Sequence, residues 1–318
     1  MKSRKQGSPM KTKCKSIIRA ACHSFGGMVC AGAVLLIASS APAQNLFEAD
    51  FGSGSIYEFT PGGAQSTFAS GWDNPMPLAF NSAGHLFVGD PWMNMIYEYT
   101  PDGAQSYFAT GLNGPYGLAF NSAGVLFAAD SGSGNIYEFT PGGAQSTFVS
   151  GLNGVVSLAF NSAGNLFAGS ANGDIYEITP GGAQSTFASG LSPAGLAFNS
   201  AGDLFEADSL SGNIYEFTPG GAQSTFASGL DGPRGLAFNS AGDLFESDSD
   251  SGNIYEFTPS GAQSTFASGL VYPHGLAFQG EALPVPEPAT VSLLALGLGI
   301  LFMAPRRYAR RHTRRRCR

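Results

Sequence analysis

A block of about 40 residues recurs six times in this chain, and it constrains the fold more tightly than any other feature. A Leu-Phe dipeptide marks each copy, at residues 46, 86, 126, 166, 204 and 244. Each copy continues through Ile-Tyr-Glu (Ile-Tyr-Glu-Phe in most), then Thr-Pro-x-Gly-Ala-Gln-Ser, and closes near Leu-Ala-Phe-Asn-Ser-Ala-Gly. A unit of that size cannot bury its own apolar face, but neighbouring copies can bury each other's, so the period predicts a propeller or a solenoid.

One copy shows the local pattern. Residues 236–239 form a short apolar segment, and Asn239-Ser240-Ala241-Gly242 is a hairpin turn. Residues 243–248 predict a second strand, and residues 253–258, rich in β-branched and aromatic side chains, a third. Pro259 opens the next turn by presetting φ, and residues 263–268 predict the fourth strand. Four short antiparallel strands are the content of a propeller blade. The phase of the repeat separates ring from solenoid. The array begins inside a second strand at residue 45 and stops after a first strand at residue 278. These two halves make one blade only if the chain closes on itself, which also removes the exposed sheet edges of an open array. The expected fold is all-β, a six-bladed β-propeller of four-stranded blades, closed by pairing the C-terminal first strand with the N-terminal second strand.

Both ends of the chain read as targeting segments around a propeller at 44–280. In residues 1–43, Lys11, Lys13, Lys15 and Arg19 precede an apolar run from Met28, and Ala41-Pro42-Ala43 supplies a small-residue cleavage site. This is the pattern of a secretory signal peptide. In residues 281–318, Val285-Pro286-Glu287-Pro288 is followed by a 16-residue apolar run at 289–304 and then by eight arginines. Such a run is short for a membrane span, although flanking arginines can snorkel to the interface and would stay on the cytoplasmic side. The tripartite tail resembles the PEP-CTERM sorting signal of Gram-negative bacteria. The resemblance implies export, processing by an exosortase, and delivery to the cell surface or extracellular matrix; a retained single-pass anchor is the alternative outcome for the 289–304 helix.

Between these ends the composition is one-sided. The chain as a whole has a formal charge of −7, but residues 44–280 hold 21 acidic side chains and one basic one, Arg234, a formal charge of −20. Such a surface repels nucleic acid, whose recognition depends on Lys and Arg. All four cysteines lie in the terminal segments, so the propeller has no disulfide or thiol chemistry.

The run Pro-x-Gly-Leu-Ala-Phe-Asn-Ser-Ala-Gly-x-Leu-Phe-x-Ala-Asp-Ser-x-x-Gly-Asn-Ile-Tyr stands nearly whole at 115–137 and 233–255. It resembles the NHL repeat and its six-bladed relatives of the senescence-marker and gluconolactonase group. That resemblance implies the fold, and it admits binders, scaffolds and metal-dependent lactonases alike.

Columns shared by the copies read as structural. Asp50, Asp90, Asp130, Asp208 and Asp248, with Ser170 in the remaining copy, are expected to tie the turn that follows, together with Asn135, Asn213 and Asn253. Glu58, Glu98, Glu138, Glu177, Glu216 and Glu256 are expected to form one uniform, solvated face. The column that varies reads as functional. Met76, Tyr116, Val156, Ala194, Arg234 and His274 stand just before the first strands, which in a propeller lie nearest the axis, so they should ring one mouth of the central channel. Gluconolactonase-like enzymes hold a divalent metal at about this place, and these six side chains make no site for a hard cation. The alternative oxygen ligands are Asp73, Asn113, Asn153 and Asp231, at turn positions that favour Asn and Asp in any case. The sequence therefore points to an exported, non-enzymatic binding or matrix protein with no cofactor, whose partner is an extracellular polysaccharide or a surface protein. Trp72, Trp92, Tyr107, Tyr116 and Tyr272 are candidates for stacking on sugar rings. A metal-dependent lactonase or hydrolase of the gluconolactonase-like type, using a divalent cation such as calcium, is the competing reading.

Overall fold

The computed structural model describes residues 44–280, and among them all regular secondary structure is β-strand. The signal segment 1–43, the sorting residues Val285, Pro286, Glu287 and Pro288, and the apolar run 289–304 lie outside the described residues.

The strands form six four-stranded antiparallel sheets. Blade 1 contains, from the axis outwards, Pro273–Phe278, Leu46–Asp50, Ser55–Phe59 and Gln65–Ser70. Blade 2 contains Leu78–Phe80, Leu86–Asp90, Met95–Tyr99 and Gln105–Thr110. Blade 3 contains Pro115–Phe120, Leu126–Asp130, Asn135–Phe139 and Gln145–Val149. Blade 4 contains Val155–Phe160, Leu166–Ser170, Ile175–Ile178 and Gln184–Ala188. Blade 5 contains Pro193–Phe198, Leu204–Asp208, Asn213–Phe217 and Gln223–Ser228. Blade 6 contains Pro233–Phe238, Leu244–Asp248, Asn253–Phe257 and Gln263–Ser268.

The ring closes as the repeat phase requires. Leu46 pairs with Phe278, Phe47 with Ala277 and Glu48 with Leu276, so the last strand completes the blade that the first strand begins. The first strands are longer than the apolar core of each copy suggests. In five of the six blades they begin at or before the ring column, so Tyr116, Val156, Ala194, Arg234 and His274 lie within strands rather than ahead of them.

Phenylalanines stitch neighbouring blades together. The second-strand Phe of every blade meets the fourth-strand Phe of its own blade and the first-strand Phe of the next blade, edge to face. For blade 1, Phe47 lies 5.1 Å from Phe68 and 5.0 Å from Phe80 of blade 2. For blade 6, Phe245 lies 5.0 Å from both Phe266 and Phe278, so the same contact crosses the closure. Each such pair adds about 0.5–1.5 kcal/mol beyond the area that it buries.

The shared acid column ties loops, in the way expected, and ties more than one. Asp248 accepts the N–H of Ser251 in the following turn at 3.1 Å and that of Asp231, ahead of the first strand, at 2.7 Å. Asp50 does the same with Ser53 and Val271, and Asp208 with Ser211 and Ser192. In blade 4 the Ser170 hydroxyl donates to the Asn153 carbonyl instead. The asparagines serve a different contact from the one expected: Asn135, Asn213 and Asn253 donate to the hydroxyls of Tyr137, Tyr215 and Tyr255.

The glutamate column also differs from a uniform solvated face. These side chains are half-buried, and their partners differ from blade to blade, Glu138 accepting the Ser146 hydroxyl at 2.8 Å. Asn45 donates to Glu58 at 2.6 Å, Asn165 to Glu177 at 2.7 Å, and His85 Nδ1 lies 2.6 Å from Glu98. In blades 5 and 6 the nearby side chains are Asp203 and Asp243, and burial together with those charges raises Glu216 and Glu256 above the usual carboxylate range.

The inner strands approach backbone to backbone. A Cβ added at Gly235 would collide with the His274 carbonyl, at Gly195 with that of Arg234 and at Gly275 with that of Met76. Gly235→Ala should therefore lower stability by about 3 kcal/mol or more, because a main-chain carbonyl cannot swing away. Gly62→Ala, where a Cβ meets nothing within 4 Å, should stay within about 0.5 kcal/mol of the parent. Urea denaturation of the two variants checks the difference.

Candidate functional site

The column of divergent residues converges on one cavity. Met76, Tyr116, Val156, Ala194, Arg234 and His274 all line it, one from each blade, and its volume is about 590 Å³. Its remaining walls include Phe51, Tyr272 and the hydroxyl residues Ser157, Ser192 and Ser209, and its lining contains no carboxylate. Phe51 stands where the other copies have Pro91, Ser131, Ala171, Ser209 and Ser249. That departure was visible in the sequence, but its meaning depends on the ring bringing blades 1, 2 and 6 together.

The mouth is divided. Blades 5, 6 and 1 present Ala194, Arg234 and His274, whereas blades 2, 3 and 4 present Met76, Tyr116 and Val156. Arg234 Nε donates to Ser249 Oγ at 3.4 Å, and no carboxylate among the described residues pairs with its guanidinium. His274 is held by its backbone: its carbonyl accepts the Ser247 hydroxyl at 2.5 Å, and Ser247 Oγ accepts the Gly235 N–H at 2.8 Å. Desolvation, helped by the Arg234 charge, pulls the His274 imidazole down to about 3, so it is neutral at physiological pH. Arg234 is then the one cation at the mouth.

The blades that present Ala194, Arg234 and His274 also hold three acids that the sequence pattern did not single out. Glu48, Glu206 and Glu246 are fully buried, and neither carboxyl oxygen of any of them has a hydrogen-bond partner. They occupy one position of the second strand, filled in the other blades by Val88, Ala128 and Ala168. Strand alternation points that position away from the adjacent Phe and toward the preceding blade. The equivalent Val88 accordingly packs with Phe47 and Ala49 of blade 1. Burial pushes Glu206 up to about 9, and Asp208 two residues on adds to the shift. Glu48 and Glu246 are raised well above the usual range by the same two causes, against a smaller opposing pull from the backbone of His274 and Arg234 respectively. Burial thus favours the neutral acid at all three positions, and at pH 7 Glu206 is protonated. The same blades that carry Ala194, Arg234 and His274 at the mouth thus carry the buried acids.

The alternative oxygen-ligand set does not meet at the cavity. Asp73, Asn113, Asn153 and Asp231 are absent from its lining, and Asp73 instead borders a smaller pocket with Trp72 and Asp90. Asn113 and Asp231 use their backbone N–H groups to reach Asp130 and Asp248. Among the described residues, no group of three or more His, Cys, Asp or Glu is arranged to hold a metal ion. The donors at the mouth therefore do not fit the divalent metal that gluconolactonase-like propellers imply.

The aromatic candidates separate as well. Trp72 packs edge-on to Tyr97 at 4.6 Å in the blade 1–2 core, and Tyr107 projects from the outer strand of blade 2. Tyr116 and Tyr272 line the cavity, and Trp92 reaches it through Phe51, 6.3 Å away.

Residues 284–315 match the PEP-CTERM protein-sorting motif. A search of curated proteins finds no matching sequence. Similar solved structures include a chain of a nidogen/laminin complex, with a TM-score of 0.68 and 18% identity over 74% of this chain and 98% of that one. Virginiamycin B lyase from Staphylococcus aureus gives a TM-score of 0.60 and 18% identity, covering 76% of this chain and 88% of its own. A gluconolactonase-like protein gives 0.56 and 17%, covering 64% and 81%. At these identities the likeness is one of fold.

The buried acids make stability depend on pH. Their carboxyls have folded-state values raised above those of the unfolded chain, so the fold holds its full stability below about pH 4.5 as far as they are concerned. That stability is lost as pH rises toward the folded value, about 9 for Glu206. Across this window each group removes up to about 1.4 kcal/mol per pH unit. Thermal melts between pH 5 and pH 9 should show a falling Tm. Glu206→Val, which copies blade 2, should raise Tm at pH 8 and flatten the profile; an unchanged slope would mean that the group is already ionised.

Proposed function

We propose that this six-bladed β-propeller, whose PEP-CTERM motif signals export sorting and implies exosortase processing, acts after processing at the cell surface or in the extracellular matrix as a non-enzymatic binding protein, holding its ligand at the mouth of the central channel. The observation that carries this reading is the convergence of all six divergent positions on a single cavity. Where the repeats agree they build the scaffold, and where they differ they face one space of ligand size. The lining offers an arginine, a neutral imidazole, hydroxyls and aromatic rings, which suit recognition. Catalysis of lactone opening by a metal would need hard oxygen donors there.

The test begins with the purified chain, treated with chelator and melted with and without millimolar calcium or zinc. The reading expects no saturable rise in Tm and no metal-dependent lactone hydrolysis. It also expects Ala194→Trp, which fills the cavity, to abolish retention of the protein on its native extracellular matrix without unfolding it. A saturable rise of several degrees that disappears on Asp73→Ala or Asp231→Ala would instead establish a metal site. Retention unaffected by Ala194→Trp would place binding elsewhere.

A further inference from the structure

We propose that the mouth of the channel binds an acidic sugar, with Arg234 taking the carboxylate of a uronic acid residue and a strip of aromatic side chains taking the ring face. This rests on the binding reading above and names the class of ligand.

Arg234 supplies the first argument. A propeller with 21 acidic side chains has ample means to neutralise its one cation, yet the guanidinium keeps only a bond from Nε to Ser249 and faces a cavity without a carboxylate. An arginine fork left free in a concave site matches a carboxylate in two parallel hydrogen bonds. A compact ammonium would not impose that planar geometry.

The aromatic strip supplies the second. Phe51 lies 5.6 Å from His274, 6.4 Å from Tyr272 and 6.3 Å from Trp92, so it joins the cavity-lining His274 and Tyr272 to the exposed Trp92. Trp92 is 66% exposed and Tyr272 50%, which leaves broad apolar faces in water. Tyr272 adopts a left-handed backbone at φ 60, a costly conformation for a non-glycine residue. A sugar ring has an apolar face that stacks on such side chains and hydroxyls that suit Ser192 and Ser209 in the cavity wall. A cavity of about 590 Å³ accommodates one or two sugar residues, and the exposed part of the strip lets a longer chain continue outward. The net negative field of the propeller does not prevent this, because at physiological ionic strength it is screened beyond about 8 Å and the local guanidinium decides the contact.

The experiment is a titration of the full-length chain in detergent, at 150 mM salt, with a galacturonic acid trisaccharide and with its carboxyl-reduced counterpart. The acidic sugar should bind at least ten-fold more tightly. Arg234→Gln should erase that preference while leaving Tm unchanged, and Trp92→Ala should weaken both sugars. Tyr107→Ala, 70% exposed but outside the cavity, should change neither. Equal affinity for the two sugars, with no effect of Arg234→Gln, would overturn the acidic specificity and leave a neutral-sugar binder. Binding to neither sugar, in a chain that its native matrix still retains, would overturn the sugar and leave the binding reading standing. Losses of equal size from Tyr107→Ala would move the site to the outer edge and overturn the assignment.

Discussion

The structure depends on one contact repeated six times: a second-strand phenylalanine held edge-on between the fourth strand of its own blade and the first strand of the next. The centroid distances barely change around the ring, from 5.0 Å for Phe127 and Phe160 to 5.1 Å for Phe205 and Phe238. Because Phe245 meets Phe278 in the same way, the closing blade is energetically like any other. No blade presents an unsatisfied apolar face, and the two halves of blade 1 are joined by pairing and by packing at once. Near-identical copies follow from this geometry, since each interface makes the same demand on the same positions.

Against that uniform frame, the departures carry information. They are not scattered. Ala194, Arg234 and His274 fall on the three blades that carry the buried glutamates, and Met76, Tyr116 and Val156 fall on the three blades that have Val88, Ala128 and Ala168 instead. A neutral carboxyl without a hydrogen-bond partner is costly in an interior. The fold carries three such groups, one on each of blades 1, 5 and 6. His274 is linked to this region through its carbonyl, which accepts the hydroxyl of Ser247, the neighbour of Glu246.

The architecture was legible in the sequence because repeat length, turn chemistry and phase all specified one closed ring. The ring of mouth residues was legible as a column that varies while its neighbours do not. The buried acids were not. In the segment Leu46-Phe47-Glu48-Ala49-Asp50, ordinary alternation assigns Phe and Ala inward and Glu outward. A middle strand of a propeller blade is covered on both faces, so the outward position is another interior. The glutamates of the third strand misled in the opposite sense: their identity across copies suggested one environment, while the side chains beside them, Asn45, His85 and Asp243 among them, make several. The Phe51–Trp92 strip was hidden because its members come from loops of different blades.

The central claim is that the shared columns build the ring and the divergent column serves a ligand. It is tested most directly by one variant in which Met76, Tyr116, Val156, Arg234 and His274 are all replaced by alanine, matching Ala194. Thermal melts and ligand titration would be run on the same preparation. The account predicts a Tm within about 2 °C of the parent and complete loss of ligand binding. A large fall in Tm with binding retained in the remaining folded fraction would show that these residues serve the scaffold, and would contradict it.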